Sequence, residues 1–153
     1  MGVLNHLIAP KRPARKQIAA TLRSPLGNLL LPQFETLGCR AGDVPSYGPT
    51  GSAWSRAYIL GAACASLQHQ DAAPASDQAC FAVAHAAFAM AYGDMNARLI
   101  LAETIAAAEA HEPEVEDGLL QGAADLAAMT NGGGGEPQFA ARNMAEMVEV
   151  ELV

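Results

Sequence analysis

Four histidines, three cysteines and sixteen carboxylates are the side chains in this sequence that could do chemistry. His85 is the first candidate, because Phe81, His85, Phe88 and Tyr92 recur at i, i+4, i+7 and i+11, which is one stripe of a helix. A histidine in the middle of a bundle helix can carry a phosphoryl group, but such sites place Lys and Gly soon after it. Here Ala86, Ala87, Phe88 and Ala89 follow. The stripe alone explains His85 as a core histidine satisfied by one partner.

Metal chemistry needs converging ligands, and His69, His85, His111, Cys64, Cys80 and Glu103 are the candidates. No Glu-x-x-His or His-x-x-x-His puts two of them on one helix face, which disfavours a carboxylate-bridged di-metal site. His111 ends a helical stretch, where a cation meets the helix dipole favourably. Cys64 and Cys80 lie in alanine-rich helix faces, where a small buried thiol is the ordinary reading. No Gly-x-Ser-x-Gly elbow occurs. The run Gly132 to Gly135 follows no strand and precedes no lysine, so it is no phosphate loop. The expectation is therefore a protein without catalytic residues, cofactor or metal.

The elements that position these residues follow from composition. The chain has 153 residues, the length of one ordinary domain. Its hydrophobic fraction is 51%, but 33 of these residues are alanine, so bulk for a core is scarce and close helix packing must supply the rest. An odd number of cysteines without a CxxC pair speaks for reduced thiols and a cytoplasmic setting. No apolar run has the length and lack of charge of a membrane span. The apolar start precedes the basic cluster, the reverse of a secretory signal.

Periodicity predicts helices over about 52–70, from Pro74 or Ser76 to Tyr92, 95–111, 113–130 and from 137 onward. Thr50 or Ser52 should cap the first, Gly93 should close the second, Asp94 should cap the third, and Pro113 and Pro137 open the last two. Before residue 51, Arg15 to Arg23 reads as a short helix stopped by Ser24-Pro25. Leu29-Leu30-Leu31-Pro32 reads as a buried extended clip, and Gly38 to Gly51 as loop. The fold class is all-α, a single antiparallel helical bundle of about five helices with an irregular, basic N-terminal arm. Residues 1–50 form the arm, short helix and loop, and residues 51–153 the acidic bundle.

Charge divides the chain the same way. Residues 1–60 carry seven basic groups against two carboxylates, a net +5, and residues 61–153 carry a net −12. Such polarity suits a non-catalytic interaction module, an acidic regulator or inhibitor that docks a basic protein surface, one that itself holds nucleic acid in the sharpest version. Glu109, Glu112, Glu114, Glu116 and Asp117 are the expected docking residues. A second reading is a homo-oligomer in which Lys11, Arg12, Arg15 and Lys16 lie on the acidic body of another copy. Ala57 and Gly61, in the small-residue ridge Ala53/Ala57/Gly61/Ala65, would then form a packing contact. A third is a small-molecule or metal-binding bundle with a pocket near His85 and Glu103. Direct nucleic-acid binding is disfavoured, because the basic cluster is short, lacks aromatics and sits beside a −12 body. Membrane binding by the apolar start of the arm is likewise not expected.

Overall fold

Ser24-Pro25, expected only to stop a helix, stops one and starts another. The computed structural model describes residues 15–70, 76–133 and 135–152, and every regular element among them is helical. α1 spans Arg15–Leu22 and α2 spans Pro25–Thr36. A 3-10 turn at Pro49–Gly51 leads into α3, Ala53–Gln70. Then come α4 (Asp77–Tyr92), α5 (Asp94–Glu109), α6 (Pro113–Thr130) and α7 (Gln138–Leu152). The five helices expected after residue 51 are present within about three residues of their predicted bounds, and α1 and α2 bring the count among the described residues to seven.

The extended clip is corrected: Leu29 to Pro32 lie inside α2. The Ser24 hydroxyl accepts from the Gly27 amide, and Pro25 occupies the first turn, where a missing N–H costs nothing. Leu26, Leu29, Leu30, Gln33 and Phe34 then recur at helical spacing and are all buried. Pro32 is tolerated because it sits on the exposed side, opposite that stripe. Its absent N–H leaves the carbonyl of exposed Asn28 facing water.

Leu26, Leu29, Leu30, Phe34 and Val44 share one core with residues from α3 to α7, so the change in composition near residue 50 is not a change in packing. The Gly38 to Gly51 stretch is irregular, as expected, but tethered: Gly42 and Val44 donate to the carbonyls of Met90 and Ala91 at the end of α4. The Tyr92 hydroxyl donates to the Thr50 carbonyl at 2.7 Å. Ser52 caps α3 and Ser76 caps α4, each accepting a main-chain N–H three residues on at 3.1 Å. Gly93, at φ 93°, closes α4 and also stands as the cap of α5, so Asp94 is the first helical residue and not the cap.

α3 and α6 form the most extensive helix pair. Ala57 and Gly61 of the ridge face Gly118 and Gly122 of α6. A Cβ placed on Gly61 would lie 2.1 Å from the Leu119 carbonyl oxygen, and one on Gly122 would lie 2.0 Å from that of Tyr58. Scarcity of large side chains is answered by backbone-to-backbone approach. A polar cluster locks the other helices onto this pair. The Tyr58 hydroxyl donates to Asp125 at 2.6 Å, and Gln33 donates to the Tyr58 oxygen at 3.3 Å. Asp125 also accepts from the Gln138 amide, and the Gln33 side-chain oxygen accepts from the Ala140 amide. Side chains from α2 and α6 thus satisfy two of the orphan donors at the start of α7. Phe139 packs its ring against Phe34 and Tyr58 beneath them.

Candidate functional site

One face each of α3, α4 and α5 lines an open cavity of about 720 Å³. Helical spacing builds it. α3 gives Leu60 and Cys64, α4 gives Asp77, Cys80, Phe81 and Ala84, and α5 gives Ile105, Ala108 and Glu109, all at steps of three or four. Leu119 of α6 and His111 complete the lining. The space exists because Ala84, Ala108, Cys64 and Cys80 are too short to fill the gap that the longer Leu60, Phe81 and Ile105 maintain. Its size lies in the range of small-molecule sites, which are mostly apolar with a few placed polar groups.

The polar groups sit at the margin. Asp77 is exposed in the first turn of α4, and Glu109 is half-buried at the last residue of α5. His111 follows at φ 55°, a left-handed conformation uncommon for a side-chain-bearing residue. The His111 and Glu112 amides donate to the Ala108 and Ala107 carbonyls, closing α5 by the double bond pattern usually built on glycine. α5 therefore ends at Glu109, not at His111, and the His111 Nδ1 lies 2.6 Å from Glu116.

Burial, together with the neighbouring Cys80 sulfur, pushes the Cys64 thiol up to about 12. His85 is buried one turn behind Phe81, with ring centroids 5.5 Å apart, and does not line the cavity. Burial, with Arg98 nearby, holds its imidazole below the ordinary histidine value against the opposing pull of Asp94. Glu103 is paired with Arg56 at 2.8 Å. The pocket expected between these two helices was placed near His85 and Glu103; the polar groups that line this cavity are Asp77, Glu109 and His111. Among the described residues, no three His, Cys, Asp or Glu side chains converge in a way that would hold a metal.

The five expected docking carboxylates meet different surroundings, although Glu112, Glu114, Glu116 and Asp117 are all exposed at the start of α6. Glu109 lines the cavity. Glu112 and Glu114 are exposed at the start of α6. Glu116 meets His111, and Asp117 accepts from the Trp54 indole at 2.8 Å and meets Arg142 at 3.4 Å, with the guanidinium stacked on the Trp54 ring. Ala57 and Gly61 are buried against α6 within the same molecule, so they are not a contact for another copy. Arg15 and Lys16 are exposed in the first turn of α1, while Lys11 and Arg12 lie outside the described residues.

Sequence reasoning passed over Gly118 and Gly122, although their four-residue spacing matches the ridge it had noted on α3. It also passed over Asp125, which carried no signal until Tyr58, Gln121 and Gln138 were brought around it. No family model, curated protein or solved structure matches this chain. No described helix is long and apolar enough to cross a membrane.

Proposed function

We propose that this chain is a non-catalytic helical-bundle binding module whose ligand is a small amphipathic cation. The apolar body of the ligand occupies the cavity between α3, α4 and α5, and its cationic group rests between Asp77 and Glu109. The observation that carries this reading is an apolar space of about 720 Å³ with two carboxylates on its margin and no lysine or arginine in its lining. It keeps the preference for basic partners that the acidic body suggests and gives it an address. The cytoplasmic setting belongs to the same proposal.

Titration with octylammonium and with octanol, followed by calorimetry, tests it. Octylammonium binds the more tightly, and the double variant Asp77→Asn, Glu109→Gln loses roughly two- to fivefold of that preference per carboxylate while keeping octanol binding. Ala108→Phe fills the cavity and weakens both. Equal affinity for the two probes, or binding that Ala108→Phe leaves unchanged, ends the proposal. A second reading, a basic protein segment docking beside the cavity, is favoured by the exposure of Glu112 and Glu114. A polylysine peptide in the same titration decides between them.

A further inference from the structure

We propose that Cys64 and Cys80 form an oxidisable dithiol, a modification site whose co-substrate is a low-molecular-weight disulfide and whose oxidation narrows the cavity. Three observations converge. The two thiols come from facing helices, α3 and α4, and both line the same cavity. Each is partly accessible, so a small oxidant reaches them from the open side. The Cys80 sulfur is the neighbouring group that, after burial, acts on the Cys64 thiol, so the two side chains are neighbours on the cavity wall. Cys39 is set apart from them, in the stretch after α2, with its Sγ 3.8 Å from the Leu37 carbonyl.

The order of attack follows from burial. Cys64 resists losing its proton, so the Cys80 thiolate attacks first. One sulfur of the low-molecular-weight disulfide bonds to Cys80 and the other leaves as a thiol, taking up the Cys80 proton. Cys64 then gives up its proton and its sulfur displaces the second small thiol from Cys80. The balance is two protein thiols and one small disulfide converted into one protein disulfide and two small thiols. Bonding brings the sulfurs to about 2.05 Å, which draws the first turn of α4 toward α3 along the cavity wall.

The chemistry stands without the ligand proposed above, but its effect on binding rests on that reading. The test uses the full chain and oxidised glutathione. Peptide mapping should recover a Cys64–Cys80 cross-link with the loss of two hydrogens by mass, and dithiothreitol should reverse it. Cys39→Ser should leave the cross-link in place and Cys80→Ser should abolish it. The loop closed is short, so the oxidised form should melt roughly 6–12 °C higher. It should also bind octylammonium roughly fourfold more weakly, the effect of losing about one methylene of fit. A stable glutathione adduct on Cys80, or a bridge that uses Cys39, overturns the proposal. A cross-link without any change in octylammonium affinity overturns its regulatory half. A cross-link in a chain that never binds octylammonium leaves the dithiol standing and removes the ligand reading instead.

Discussion

Gly122→Ala tests the packing principle of the whole fold. The new Cβ would lie 2.0 Å from the Tyr58 carbonyl oxygen and 3.0 Å from the Ala62 nitrogen, where ordinary contact begins at 3.4 Å. Both neighbours are main chain of α3, so no rotamer change relieves the clash, and the two helices must part by more than 1 Å. Parting them loosens the Tyr58–Asp125 hydrogen bond and the Phe139 packing that depends on it. Overpacking of this kind costs about 3 kcal/mol at its upper end. Alanine's better helix propensity offsets about 1 kcal/mol. The net expectation is a loss of about 2 kcal/mol, a fall in Tm of roughly 4–8 °C for a chain of this length. Urea unfolding followed by far-ultraviolet circular dichroism measures it. Gly135→Ala, where nothing lies within 4 Å of the added carbon, is the internal control and should stay within about 0.5 kcal/mol of the parent. A Gly122→Ala protein as stable as that control would refute the argument that α3 and α6 meet backbone to backbone.

Two further outcomes follow. Pro32→Ala restores the N–H that α2 lacks at an exposed position, so stability should rise by about 1–2 kcal/mol in urea unfolding, less than the full proline penalty because the unfolded chain also gains freedom. A loss of stability would mean that Pro32 is set in the fold in some other way. His85 is held neutral by burial, and its folded value lies below the ordinary one. As pH falls, the unfolded chain takes up its proton first, near about 6.5. The contribution of His85 is therefore complete above that pH and declines as pH drops through it toward the folded value. Unfolding free energies at pH 7.5 and 5.5 should differ more for the parent than for His85→Leu, and equal slopes would show that the imidazole is not desolvated.

What the sequence determined by itself was local. Periodic apolar stripes, Thr50 or Ser52 as a cap, Gly93 as a stop and Pro113 at a first turn mark the helices after residue 51, because each signal acts within one or two turns of chain. α2 escaped that reading because Pro32 is a breaker by local rule, and only burial of the opposite stripe against α3, α6 and α7 outweighs it. Tertiary structure alone decided which residues meet. Ala57 and Gly61 could have packed on any helix, and Gly118 and Gly122 made α6 the one. Asp117 and Glu116 carried the same formal charge as Glu112 and Glu114, yet Trp54, Arg142 and His111 engage the first pair and leave the second in water. The cavity is likewise a property of three helices together. Ala84, Ala108, Cys64 and Cys80 are unremarkable one at a time, and their short side chains leave a space only because the fold sets them opposite one another.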